Sequence, residues 1–222
     1  MILGFWHIMM TNSYLDIISD QLWLMIKSGL YCRVECIYIG CLGSNEEIIK
    51  LQNLFHDYEK IKIISHSPNL QSYEFHTLKI LRAISISQPS FYGFYIHTKG
   101  VSYPGNEGGK YWRDYMNHYI LTEWKEAVLQ LDNGSDTYGV KLLTPLDIMT
   151  NPAKKLHYSG NFYWFKSEYA KTLVPIESLN QNDRFEAEMY ICSNSPVAAT
   201  GCQLFVDYNT KGKFIPHDYT TR

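Results

Sequence analysis

The first hundred residues alternate between two kinds of apolar pattern, and this limits the fold more than anything else in the chain. Residues 3–9 read as a short buried strand, followed by Thr11-Asn12-Ser13, residue types that favour turns. Leu15, Ile18, Leu22 and Met25-Ile26 then recur at three- and four-residue spacing up to Gly29, which predicts a helix. The alternation continues. Residues 34–39 predict a second strand ending at Gly40, and Ser44 with Glu47 is a capping-box sequence opening a helix to about His56. Residues 61–65 predict a third strand, 73–86 a helix with Leu78, Leu81 and Ile84 on one stripe, and 91–97 a fourth strand. Apolar strands separated by amphipathic helices imply an α/β fold, a mostly parallel Rossmann-like sheet with helices on both faces.

The second half is less regular. Residues 101–110 hold three glycines and Pro104, the composition of a loop that could close over a ligand. Residues 110–131 predict one long helix carrying Trp112, Tyr115, Tyr119 and Trp124. Strands are expected at 138–143 and 159–165, short helices near 167–173 and 184–192, and irregular chain at 144–155 and from Asp207 onward. With 222 residues the chain is long enough to bury a core without disulfides, as a single domain over 1–222.

Charge and composition exclude several classes. Twenty Lys and Arg against 22 Asp and Glu leave no basic excess, which argues against nucleic acid as a partner. No segment approaches the roughly 20 apolar residues of a membrane span, and the apolar start, containing Trp6 and His7, reads as a buried strand and not as a leader. Cysteines 32, 36, 41, 192 and 202 show no metal-ligand spacing and are expected to be small buried residues in a reducing cytoplasm. The 18 Tyr, 10 Phe and 5 Trp suit either a core or platforms for sugar faces, and composition alone does not choose between them.

In an open α/β sheet, ligands bind beyond the carboxyl ends of the strands, here the exits after His7, Gly40, Ser65 and His97. No Gly-x-Gly-x-x-Gly follows the first strand and no Walker lysine motif is present, so dinucleotide and P-loop sites lose support. The sharpest exit is Tyr95-Ile96-His97-Thr98-Lys99-Gly100, where Lys99 offers a point charge to a phosphate and Gly100 allows close backbone approach. A surface turn with an exposed lysine would read the same way.

That hexapeptide belongs to an ordered set. Trp112-Arg113 with Met116, His157-Tyr158-Ser159-Gly160-Asn161-Phe162-Tyr163-Trp164, and Arg184-Phe185-Glu186-Ala187-Glu188 follow it, while Gln21-Leu22, residues 28–31, Tyr73-Glu74 and Thr77-Leu78 precede it. Together they resemble small GT-A-type glycosyltransferases of bacterial surface-polysaccharide (capsule or lipopolysaccharide) biosynthesis, of the kind with a His-Thr-Lys-Gly turn in place of Asp-x-Asp. One departure is Tyr163, where the family pattern has a second tryptophan.

The resemblance implies a cytoplasmic transferase that moves a sugar from a nucleotide-sugar donor to a glycan or lipid-linked glycan acceptor. A lipid-linked acceptor would draw the chain to the inner face of the membrane. Residues 1–100 would handle the nucleotide-sugar and 101–222 the acceptor. Because an ammonium repels a metal ion but can neutralise a diphosphate, the expectation is no metal cofactor, with Lys99, Arg113 and Lys110 as the phosphate clamp. If Mn²⁺ or Mg²⁺ were needed, His97, Asp136, His157 and His217 would be the candidate ligands. Donor contacts are further expected from His7, Asn12, Glu74, Thr77, His97, Thr98 and Gly100. Acceptor contacts are expected from Trp112, His157, Ser159, Gly160, Asn161 and Trp164, an amide, a hydroxyl and aromatic faces close together. Glu188 matches the family's Arg-x-x-x-Glu and is the expected base, with Asp183 second, though carboxylates at a helix start also simply suit the macrodipole. The alternative is a non-catalytic sugar- or nucleotide-binding module, or an assembly subunit of a polysaccharide complex.

Overall fold

The structure, a computed structural model, describes residues 1–102, 105–144 and 155–201. Tyr103, Cys202 and His217 lie outside the described residues. Strand β1 (Ile2–Met9) pairs in parallel with β2 (Cys36–Leu42), which pairs in parallel with β3 (Ile61–Ser67). On its other side β1 pairs in parallel with β4 (Tyr92–His97), in a register that sets His7 beside His97. The chain thus builds outward from β1 to β3, then crosses back to lay β4 on the opposite flank. That reversal makes a topological switch point between β1 and β4, where a crevice forms beyond the strand ends.

Short strands β5 (Thr137–Gly139), β6 (Leu142–Leu143), β7 (His157–Tyr158), β8 (Tyr163–Lys166) and β9 (Ala198–Thr200) complete the framework. The main sheet runs β3-β2-β1-β4-β8-β5-β9. Of these seven strands β8 alone is antiparallel to its neighbours, so the sheet is mostly parallel. β6 and β7 form a separate antiparallel pair.

Helices are α1 (Tyr14–Lys27), α2 (Leu30–Arg33), α3 (Asn45–Leu54), α4 (Phe75–Ser87), α5 (Glu107–Asn117), α6 (Trp124–Asp132), α7 (Ser167–Ala170) and α8 (Arg184–Met189). Strand alternation sends successive side chains to opposite faces, and two cores result. Trp6, Ile8 and Ile96 pack with Ile18, Leu51, Trp112 and Leu131 of α1, α3, α5 and α6. Phe5, Tyr95 and Phe165 pack with Leu78, Ala170 and Ala187 of α4, α7 and α8. The expected α/β class, helices on both faces, is what the chain adopts.

Several boundaries differ from expectation for physical reasons. β2 starts at Cys36 and runs through Gly40 to Leu42, because Gly40 marks a close approach of α4 and not a strand end. A Cβ there would strike Thr77, whose hydroxyl donates to the Gly40 carbonyl at 3.3 Å. The expected long helix 110–131 is interrupted by a π turn, His118–Thr122, whose Ile120 carbonyl accepts from the Trp164 indole at 2.9 Å. The expected strand 159–165 is half turn: Gly160 and Asn161 have φ of 86° and 59°, left-handed conformations that end pairing until Tyr163. Likewise 138–143 splits around Lys141, φ 48°. Ser44 caps α3 as its sequence predicts, but Glu47 turns to Lys50 and Tyr14 instead of back to the cap. Cys36, Cys41 and Cys192 are buried, whereas Cys32 is exposed at the end of a short helix, contrary to expectation. No helix among the described residues is long and apolar enough to cross a membrane.

Candidate active site

A cleft of about 520 Å³ lies at the switch point, beyond the carboxyl ends of β1 and β4. His7 and Met9 come from β1, His97, Thr98, Lys99 and Gly100 from the β4 exit, Trp112 from α5, Tyr73 and Glu74 from the start of α4, and Arg184 and Glu188 from α8. Two cations and two carboxylates therefore share one opening. Arg184 and Glu188 are four residues apart on α8, which puts them on one helix face.

The turn after β4 is built by backbone chemistry. Thr98 donates its N–H to the His7 carbonyl at 3.1 Å and its Oγ1 accepts from the Met9 N–H at 3.0 Å, stitching the two strand ends together. Gly100 adopts φ 83°, which reverses the chain directly after Lys99. Arg113 donates from Nη1 to the Lys99 carbonyl at 2.7 Å, and Asn12 donates from Nδ2 to the Val101 carbonyl at 2.9 Å.

The two histidines are buried and neutral. Burial, with some help from neighbouring histidines, lowers His7 to about 4. Burial and then the Lys99 charge lower His97 to about 3. His7 Nδ1 lies 2.9 Å from the Thr77 hydroxyl, and His97 Nε2 lies 2.8 Å from the Gly160 carbonyl. Glu74 is held by Tyr95, whose hydroxyl donates to Oε2 at 3.0 Å, and by the Asn161 amide, which donates to the same oxygen. Burial pushes the Tyr95 phenol well above its ordinary range, so it stays a donor.

The expected site residues divide accordingly. His7, Glu74, His97, Thr98, Lys99, Gly100, Trp112 and Glu188 line the cleft. Thr77, Gly160 and Asn161 do not; they stand behind it and orient His7, His97 and Glu74. Arg113 and Lys110 line an adjoining hollow of about 190 Å³ that shares Gly100 and Asn106 with the cleft. Arg113 spends its charge on the turn, and Lys110 pairs with Asp114 at 2.7 Å. Asn12 is a brace outside the cleft. Asp183 caps α8 by accepting from the Phe185 N–H at 2.9 Å, the plainer of its two expected roles.

The expected acceptor stretch mostly turns inward. Trp164 is fully buried against Phe94 and offers no face to a sugar. His157 is buried with Nδ1 2.7 Å from the Lys155 carbonyl, and Ser159 donates its backbone N–H to Lys141. The aromatic cleft walls are instead Trp112, which stacks on Tyr115 at 5.3 Å, and Tyr73. Arg184 and Tyr73 were missed as site residues. Arg184 lies one helical turn before Glu188, and Tyr73, at φ 46°, directly precedes Glu74 at the start of α4.

Hard cations take several oxygen ligands, and among the described residues no three His, Cys, Asp or Glu side chains are grouped to hold one.

No protein-family model and no curated protein matches the chain. Among solved structures it is similar to 4-diphosphocytidyl-2C-methyl-D-erythritol synthase from Anaerococcus prevotii, at 12% identity over 96% of this chain and 92% of that one, TM-score 0.47. It is also similar to residues 1–349 of S. aureus TarS, at 11% identity over 90% of this chain and 60% of that one, TM-score 0.44.

Proposed function

We propose that this chain is a GT-A-type glycosyltransferase that moves a sugar from a nucleotide-sugar donor to a glycan or lipid-linked glycan acceptor, without a divalent metal. The observation that carries the proposal is the cleft at the β1/β4 switch point, with Lys99 and Arg184 facing the same space as Glu74 and Glu188. A nucleotide-sugar needs its diphosphate charge neutralised as the bond to the sugar breaks, and an oriented ammonium supplies that stabilisation. Lys99 is the group in this role, with Arg184 as the second cation in place of Arg113 and Lys110.

Glu188 takes the proton of the acceptor hydroxyl as that oxygen attacks the anomeric carbon. The sugar–diphosphate bond breaks, and the nucleoside diphosphate leaves with its electrons against Lys99. Trp112 and Tyr73 give the pyranose an apolar face. The role in surface-polysaccharide assembly follows the sequence resemblance. Incubating the protein with UDP-, GDP-, CMP- and dTDP-sugars, with and without chelator, tests this reading. Release of nucleotide from one class in chelator supports it; binding without release from any donor favours the non-catalytic module.

A further inference from the structure

In the cleft wall His97 Nδ1 lies 3.5 Å from Glu74 Oε1. The Gly160 carbonyl, 2.8 Å from His97 Nε2, only accepts, so the ring proton sits on Nε2. Burial, then the Lys99 charge, push the ring's pKa down to about 3, which favours the neutral ring with a lone pair on Nδ1. That Nδ1 lies 3.5 Å from Glu74 Oε1, which also only accepts. Glu74's two bound donors, Tyr95 and Asn161, are both on Oε2. Among the described residues nothing donates to Oε1 or to Nδ1, and both side chains line the cleft.

We infer that Glu74 and His97 form a two-acceptor seat for a pair of adjacent hydroxyls on the ligand. A single hydroxyl brings one proton and serves one acceptor; a vicinal diol brings two, one to each. The seat rests on the nucleotide-sugar reading and adds to it the group by which the ligand is gripped. Such a diol comes from the nucleotide's ribose or from the transferred sugar. The surrounding network fits recognition better than mere packing. Tyr95 and Asn161 both bind Oε2 and leave Oε1 without a donor among the described residues, and the Gly160 carbonyl favours the tautomer with its proton on Nε2. A site built to bind a hydroxyl rejects the analogue lacking it far more strongly than an apolar pocket does.

The test uses the full chain with ¹⁵N-labelled histidine, followed by NMR at the His97 Nδ1 resonance. Probes are the uridine, guanosine and cytidine 5′-diphosphates with their 2′-deoxy counterparts, and methyl glucoside, galactoside and mannoside with their deoxy analogues. A diol probe should move the Nδ1 resonance and its deoxy partner should not, and the responding set names the source. A His97 signal already that of an imidazolium near neutral pH overturns the seat, because its own proton would fill the gap. So does an Nδ1 signal that no diol probe moves.

Glu74→Gln separates recognition from packing. Its carbonyl still accepts from Tyr95 and Asn161, while its NH₂ points at His97 Nδ1 and closes the seat from within. Melting temperature should hold or rise while affinity for the responding probe falls about 30-fold. Lowered stability with unchanged affinity overturns the proposal. Nucleotide release without any diol response sinks the seat alone; a diol response in a protein that releases nucleotide from no donor sinks the transfer reading alone.

Discussion

Arg113 donates to the carbonyl of Lys99 at 2.7 Å, so one cation buried in α5 holds the turn that presents another to the cleft. Burial lowers the Arg113 guanidinium from its ordinary value, yet it stays charged, and its hydrogen bond to a neutral carbonyl is charge-assisted. Arg113→Met removes that donor and leaves the carbonyl unanswered. Stability should fall by about 1–3 kcal/mol in urea titration. The donor KM should rise, and Arg113→Lys should recover part of both losses. Wild-type values for both properties in Arg113→Met would detach the brace from the site.

Gly160 is a second point where backbone geometry supports the cleft. Its φ is 86°, and a side chain there would run into the Trp112 indole and Met116. Gly160→Ala should cost about 1–3 kcal/mol from backbone strain, with contact strain adding to it. Because the same residue's carbonyl orients His97, the substitution should also weaken donor binding. Calorimetry of unfolding and of ligand binding on one sample reads both effects.

The buried histidines give the fold a pH dependence whose sign follows directly. Both have folded pKa values below the ordinary 6.5, about 4 for His7 and about 3 for His97. Unfolding therefore takes up protons below pH 6.5, and stability falls as pH drops from there toward 4. Each histidine contributes a slope of up to about 1.4 kcal/mol per pH unit in that window. Urea midpoints measured from pH 7 to 4.5 should decline, and His7→Asn should flatten the decline by about one histidine's share. Equal slopes in wild type and variant would mean His7 is protonated in the folded state.

Glu188→Gln keeps the shape of the side chain and removes its basicity. Donor affinity should stay within about threefold of wild type while transfer falls by about 100-fold or more. Transfer at the wild-type rate would pass the role of base to Glu74, the other carboxylate of the cleft.

Much of the fold was legible in the sequence because the first hundred residues are locally consistent. β1, β2 and β4 are largely apolar, β3 is β-branched at Ile61, Ile63 and Ile64, and the helices carry apolar stripes, so periodicity finds β1, α1, α3, β3, α4 and β4 nearly in place. The strand exit at His97-Thr98-Lys99 was legible for the same reason. What local pattern could not convey was which side of an element meets a third one. Trp164 and Arg113 keep company in sequence with expected ligand contacts, yet β8 lies inside the sheet and Arg113 lines the hollow beyond Gly100. Gly40 reads as a strand end, because only the packed structure reveals Thr77 against it. The turn at Gly160-Asn161 is signalled locally by Ser159-Gly160-Asn161, and the strand that follows is the apolar run from Phe162 to Phe165. Among the described residues most of the aromatic surplus is core, and Trp112 and Tyr73 are the aromatic residues that line the cleft.

The central claim is that Lys99 does for a nucleotide-sugar diphosphate what a metal ion does elsewhere. Its most direct test is nucleotide release by wild type and Lys99→Ala, both in excess chelator, with the donor that wild type prefers. Wild type should turn over undiminished in chelator, and Lys99→Ala should lose about 100-fold or more in kcat with its fold intact. Release that appears only on adding Mn²⁺ or Mg²⁺, or that survives in Lys99→Ala, would contradict the account.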